Sequence, residues 1–328
     1  MKIESDSSSS NSQPFSGDPD RAAHTRSLLL GTSSFLIWGL LPIYWKTLGV
    51  VPAYEILANR VFWSFIFMIV VLVAAGKVLA LKLEVKQLLA CRKKIFCVIM
   101  GAILISANWF VFIWAVNDGR MVETSLGYYI NPLINVLIGV TILRERLSLW
   151  QFLAVLLATA GVVKLTLNFG SLPWVALFLA CSMGTYSLCK KVTGLSAISG
   201  LSIETALTAP LAGFFLIYIH SQGQGYPFGA DLTTVLLIGA GVVTATPLLL
   251  FAHSLNHLSM TVMGFLQYIS PTLTLILGIF VYGEDFTPTH RIAFSFIWAA
   301  VILFTVSRTA PMVAIERGIS RFLGRKRS

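Results

Sequence analysis

The sequence predicts an all-α polytopic membrane protein, with ten transmembrane helices arranged as two inverted five-helix repeats. Three observations carry that prediction. The first is composition: of 328 residues, 56% are hydrophobic and only 12% charged, and the mean hydropathy is +0.80. A soluble domain usually carries about 25% charged residues, so this chain lacks the polar surface to cover a water-soluble body. The second is an internal repeat at an offset of 139 residues. The third is a one-sided placement of Lys and Arg between the apolar runs.

The repeat lies at residues 117–145 (NDGRMVETSLGYYINPLINVLIGVTILRE) and 256–285 (NHLSMTVMGFLQYISPTLTLILGIFVYGED). Asn117 falls on Asn256, Met121 on Met260 and Tyr129-Ile130 on Tyr268-Ile269. Pro132 falls on Pro271, Gly139 on Gly278 and Glu145 on Glu284. Apolar sequences match leucine with leucine by chance, but not Asn, Tyr, Pro, Gly and Glu in one fixed order. Each copy reads as an apolar helix of roughly twenty residues, with a proline about a third of the way along and a glutamate at its end.

In chain order, residues 1–26 are Ser-rich and hold no apolar run. They lack the apolar core of a secretory signal and read as a disordered cytosolic tail. Ten apolar segments follow near 27–45, 54–75, 95–115, 121–143, 149–167, 173–190, 199–220, 231–252, 260–282 and 289–307. Each approaches the roughly 20 residues needed to cross hydrocarbon. Between the second and third, Lys77–Lys94 mixes Leu and Val with Lys82 and Lys86 at i, i+4. That pattern reads either as a basic amphipathic segment lying on anionic lipid or as a plain connector. Residues 308–328 form a basic tail.

With the N-terminus inside, nineteen Lys and Arg fall on inner segments and four on outer ones, with Arg60 left within a span. Cationic loops favour the cytosol, so both termini are expected there. An offset of five spans is odd, so the second repeat (173–307) enters from the side opposite the first (27–167). Two half-molecules related in this way can expose a shared site to either side in turn. The net charge of +10 belongs to this topology; no basic face interleaved with aromatics points to nucleic acid. Cys91, Cys97, Cys181 and Cys189 lack disulfide or metal spacing.

A charge within a span costs at least a few kcal/mol and requires a partner or a wet cavity. Arg60 lies about 9 Å along its helix from Tyr54. It reads either as a binder of a carboxylate-bearing solute or as half of a structural ion pair with Glu55 or Glu123. Glu204, near the inner end of span seven and with no base close in sequence, reads as a proton-coupling carboxylate or a hydrated vestibule group. The remaining candidates for solute contact or coupling are Trp38, Tyr44, Asn108, Trp114, Asn117, Tyr129, Gln267 and Tyr268, an aromatic and amide set clustered near Pro42, Pro132, Pro247 and Pro271. Aromatic walls with a few placed amides make a typical pocket, although single Trp and Tyr residues equally serve as interface anchors. His253 and His257 have zinc-compatible spacing but no third ligand close in sequence, so no metal is expected. Neither a phosphate loop nor a hydrolase signature is present, and neither cofactor nor enzyme activity is expected. Ala154, Ala158 and Gly161 form a small-residue face that either packs the bundle or forms a homodimer.

Several runs resemble the EamA family of the drug/metabolite transporter superfamily. They are FLIWGLLPIYWK (35–46), EILANRVFWS (55–64), NWFVFIWAVN (108–117), ETSLGYYINPL (123–133), RER (144–146), GSLP (170–173), IET (203–205), GVVTATPLL (241–249), GFLQYISPTL (264–273), YGE (282–284) and FIW (296–298). The resemblance covers nearly all of 27–307. It implies ten helices in two EamA-type repeats in a bacterial inner membrane, with both termini cytosolic, and a permease for a small metabolite, amino-acid-like or drug-like solute. Some members carry a chloramphenicol-sensitivity label, which names no physiological substrate. The competing expectation is a membrane partner or sensor that transports nothing.

Overall fold

The structure, a computed structural model, describes residues 19–117, 121–167, 173–281, 288–307, 309 and 312–316. Twelve α-helices account for most of them: α1 (Pro19–Thr47), α2 (Ala53–Ala74), α3 (Val78–Leu89), α4 (Arg92–Asn117), α5 (Met121–Thr141), α6 (Leu149–Leu167), α7 (Trp174–Thr193), α8 (Ala197–Ser221), α9 (Leu232–His257), α10 (Met260–Gln267), α11 (Ile269–Phe280) and α12 (Pro288–Val306). Among the described residues there is no strand.

Among the described residues, seven stretches are long and apolar enough to cross a bilayer: Ala22–Thr47, Ala53–Ala74, Arg92–Phe112, Leu149–Leu167, Ala197–Ser221, Leu232–His257 and Met260–Leu277. In α5 and α12 the apolar stretches are shorter, Leu126–Thr141 and Arg291–Val306. α7 has two lysines in its last turn, Lys190 and Lys191. The outer surface is apolar, with Leu211, Phe214 and Phe280 at 75%, 72% and 80% exposure. In water such a surface would aggregate, whereas in lipid it meets its natural solvent. The chain is a multi-pass membrane protein.

Two elements differ from the expected segments. α1 begins at Pro19, inside the predicted tail, as suits a proline whose fixed φ fits the first helical turn. The predicted span 260–282 divides at Tyr268 into α10 and α11. Pro271 has no N–H for the carbonyl four residues back, and Tyr268 N tightens instead onto Phe265 O at 3.3 Å. α5 carries Pro132 yet stays continuous. α3, too short to cross, lies outside the bundle with Leu79, Leu83 and Leu89 exposed.

The helices pack as pairs: α6 on α12, α2 on α8, α5 on α10, α4 and α5 on α7, and α1 on α9 and α11. The main core gathers Phe35, Tyr129, Tyr186, Phe251, Tyr268 and Phe294 between them. The small-residue face of α6 is used within the chain. Ala154 and Ala158 are fully buried, and a Cβ on Gly161 would stand 2.8 Å from the Ala293 carbonyl of α12.

Glu145 shows why the repeat keeps its landmarks. Its carboxylate accepts from Met260 N at 2.6 Å, Thr261 N at 2.9 Å and the Thr261 hydroxyl at 2.6 Å. It thereby satisfies the free N–H groups that open α10 and complements the positive end of that helix. Gly139 makes room, since a Cβ there would lie 2.7 Å from Glu145 Oε2. Gly139, Glu145 and Met260 are three of the repeat's matched positions.

Candidate functional site

The apolar residues of α2 hold Arg60 at membrane depth. Beside it, α9 approaches closely because residue 241 is glycine; a Cβ there would collide with the Trp63 carbonyl and Ser64 N. Ser64 Oγ donates to the Gly241 carbonyl at 3.1 Å. One turn further along α9, Thr244 Oγ1 accepts from Arg60 Nε at 3.2 Å. The guanidinium carbon stands 4.9 Å from the Trp45 ring centre and 4.6 Å from the Trp109 ring centre, within cation–π range. Trp45 meets Tyr44 edge-on at 5.0 Å, and Tyr44 is tied to α9 through the Leu236 carbonyl. Arg60 has no carboxylate within ion-pair distance among the described residues. With Nε engaged by Thr244, both terminal amino groups remain for a ligand, and a guanidinium edge suits a planar carboxylate.

Glu55, one of the two expected counter-ions of Arg60, is not found in that role. Five residues turn a helix by about 140° beyond a full turn, which directs Glu55 away. Glu55 is instead fully buried beneath the loop after α8, where Oε1 accepts from Tyr226 N at 2.8 Å and lies 4.0 Å from His220 Nε2. The side chains of Glu123 and Asn117 lie outside the described residues.

Glu204 also departs from expectation, since it has a base. Lys190 Nζ donates to its two oxygens at 2.8 and 2.9 Å, and the Tyr186 hydroxyl donates to Oε2 at 2.9 Å. All three side chains are buried. Lys190 counts as a loop charge in sequence, but the left-handed Gly194 turn (φ 60°) folds the chain back and brings it to α8. A narrow cavity of about 20 Å³, lined by Ser64, Ser106, Trp109, Tyr186, Glu204 and Thr205, separates this triad from the Arg60 cage. That is room for about one water. Trp109 stacks on Arg60 and lines the cavity, whose wall also includes Val61, Ile105, Leu201 and Leu248, so the two charged groups flank one narrow, largely apolar gap.

The remaining predicted residues do not form a single pocket with Arg60. Asn108 Nδ2 donates to the Leu179 carbonyl at 2.9 Å and to Ser182 Oγ at 2.8 Å, joining α4 to α7. Trp38 packs on Phe35 and Phe251 at 5.5 Å each, and Trp114 lies against Trp174 at 5.5 Å. Tyr129 donates to the Pro271 carbonyl at 3.2 Å, and Gln267 Oε1 accepts from Asn135 Nδ2 at 2.7 Å. The buried Tyr268 hydroxyl has no hydrogen-bond partner among the described residues. Sequence reasoning passed over Trp45, Lys190, Tyr186 and Asn135. Lys190, fourteen residues before Glu204, had the clearest detectable signal: a base at a helix end facing a carboxylate across a short turn.

The fold and this interior define a helical, multi-pass membrane protein with charged groups held at membrane depth. Residues 25–167 match the EamA-like transporter family. The chain is 48% identical to the uncharacterized transporter YojE of Bacillus subtilis, over 84% of this chain and 92% of that one. It is 41% identical to the protein RarD of Escherichia coli, over 85% and 93%. It is 29% identical to the chloramphenicol-sensitive protein RarD of Pseudomonas aeruginosa, over 84% and 92%. A solved crystal structure of 18% identity covers 88% of this chain and 99% of its own with a TM-score of 0.64, a likeness of fold alone. The chain belongs to the EamA-like transporter family, in its RarD branch.

Proposed function

We propose that the protein is a secondary permease for a small anionic solute with an aromatic or amphipathic body, working by alternating access between two inverted repeats, 27–167 and 173–307. The observation that carries this reading is the Arg60 cage. A guanidinium at membrane depth, faced by Trp45 and Trp109 and without a described carboxylate partner, has a charge left to offset. A solute carboxylate on the guanidinium edge, with its apolar body against the indoles, offsets it.

The packing supports the repeat arrangement. Shifted by 139 residues, α6 corresponds to α12, α2 to α8 and α5 to α10–α11, and each of these pairs is also in contact. α4 on α7 corresponds to α9 on α1, and both contacts are present. Asn108 and Pro247, 139 residues apart, sit at matching crossings: Asn108 binds α7, and the Pro247 carbonyl accepts from Ser34 of α1 at 2.8 Å. Ten crossings put both termini on one side, and the basic segments make that side the cytosol of a bacterial inner membrane.

Proteoliposomes holding the purified chain should move a labelled aromatic or amphipathic carboxylate without ATP, and Arg60→Ala should abolish that flux while the protein still elutes as a folded species. Unchanged flux in Arg60→Ala rejects the site. Fusing reporters to both ends tests the topology independently, and reporters on opposite faces reject the inverted arrangement.

A further inference from the structure

A cavity of about 430 Å³, whose wall does not include Arg60, lies at the basic end of the bundle. Its walls come from α3 (Glu84, Gln87), the start of α4 (Lys94), the end of α7 (Lys191) and the end of α9 (Asn256, His257). The size falls in the range of small-molecule sites. Its wall holds two lysines, Lys94 and Lys191, against one carboxylate, Glu84. Glu84, the one carboxylate in the wall, is engaged through Oε2 with Ser196 N at 2.9 Å. Lys191 Nζ donates to the Leu255 carbonyl at 3.1 Å and to the Leu258 carbonyl; Glu145 lies near enough to act on its charge, and one of its three N–H donors stays open. Lys94 has neither a hydrogen bond nor an ion pair among the described residues.

The setting of the cavity narrows what it binds. α3 forms one wall and exposes Leu79, Leu83 and Leu89 at 68%, 55% and 66%. Lys82 and Lys86 are exposed among these leucines on the same side of the helix, and a short basic helix of this kind lies in the plane of a membrane surface, its leucines in the acyl boundary and its lysines reaching up to the headgroups. The cavity behind it is therefore level with the lipid headgroups. Basic pockets between membrane helices at that level suit phosphate diesters and their counterparts free in solution.

We propose that this cavity is a phosphate-binding site, filled by the headgroup of an anionic phospholipid, with Lys94 and Lys191 contacting the phosphate and Gln87 and Asn256 the polar headgroup. Occupancy fixes α3 against α4, α8 and α9. The proposal requires only that the basic end face a membrane surface, so it stands or falls separately from the Arg60 solute site.

The test uses the full chain in detergent, read by native mass spectrometry and by thermal melting. Phosphatidylglycerol should remain bound and raise the melting temperature, whereas phosphatidylcholine should not. Lys94→Gln should weaken retention roughly fivefold, the contribution of one lysine to an anionic headgroup, and Lys94→Arg should restore it. Lys82→Gln, on α3 but outside the cavity, should leave retention unchanged. If inorganic phosphate at matched ionic strength displaces the lipid and stabilises wild type but not Lys94→Gln, the phosphate site stands and its source is soluble. Equal binding of the two lipids, or equal losses in Lys94→Gln and Lys82→Gln, overturns the proposal in favour of diffuse surface charge.

Discussion

At Arg60 the energetics and the chemistry point the same way. A central arginine costs about 2.5–3.5 kcal/mol on insertion scales, and each cation–π contact returns about 0.5–2 kcal/mol. The two indoles thus hold the charge in place without neutralising it. Arg60→Lys keeps that charge but loses the planar fork. If solute binding is bidentate, flux at low solute concentration should fall roughly tenfold or more, the loss of one charge-assisted hydrogen bond; unchanged flux would show that a point charge suffices. Lys190 and Glu204 make a different case, because each neutralises the other. Lys190→Met strands a buried carboxylate and should cost about 3–5 kcal/mol in a melting experiment, whereas Lys190→Met with Glu204→Gln should recover most of that. A double variant as unstable as the single one would show that the pair is not what holds α7 to α8. These two charges also mark where reading the chain succeeds and stops. Arg60 stood out because it is the one basic residue of an apolar span whose other charge, Glu55, sits at its very start. Its aromatic walls did not, because tryptophan serves equally at interfaces, in cores and in binding sites. Lys190 looked like one more loop cation until the Gly194 turn folded it inward.

At the scale of helices, the ends carry the specificity. Glu145 reaches from the end of α5 to cap α10, and the 139-residue repeat places Glu284 in the same sequence relation to Met121 as Glu145 has to Met260. Glu145→Ala should therefore cost about 1–2 kcal/mol, the upper range for a lost cap, and Glu284→Ala should cost a similar amount. A loss at only one of them would mean that the repeat shares sequence without sharing the cap. Asp231 opens α9, accepting from Thr234 Oγ1 at 2.6 Å, the Tyr226 hydroxyl at 2.7 Å and Thr233 N at 3.2 Å. Those bonds, Thr234's foremost, hold its carboxyl below the usual Asp range. A lowered folded-state value means that its contribution is complete above the unfolded Asp value of about 3.9 and is lost as pH falls through the folded one. The melting difference between wild type and Asp231→Asn should accordingly be level above about pH 4 and shrink below it. A difference independent of pH down to full protonation would assign the effect to shape alone. Hydropathy located these helices because lipid requires about twenty apolar residues per crossing. It was silent on the break at Tyr268, since Pro132 and Pro271 are alike in sequence and only the surrounding packing keeps one helix continuous and divides the other.

In the whole molecule, one pair of contacts departs from the symmetry of the rest. Under the proposed inverted repeats, α2 on α9 is the counterpart of α8 on α4. Yet α2 lies tightly on α9 at Gly241, whereas α4 meets α8 over a shorter stretch, and the 20 Å³ cavity opens there, between Ser106 and Thr205. A molecule that alternates would exchange these two arrangements, closing α4 on α8 as α2 leaves α9, because the two halves cannot both be closed around an occupied site and still release it. The repeat aligns Gly241 with Ala102, so the close approach made by glycine in one half has a small residue ready in the other. Gly241→Ala places a methyl against the Trp63 carbonyl and should bias the protein toward the exchanged state. Spin labels at Tyr54 and Leu232 would report the first pair, and labels at Lys93 and Ala197 the second. In Gly241→Ala the first distance should lengthen and the second shorten relative to wild type, and added solute should move both distances in wild type, again in opposite senses. Two distances that lengthen together would mean that the variant loosens the bundle. Two that never change, with flux intact, would mean that the solute crosses by a route that does not exchange the halves.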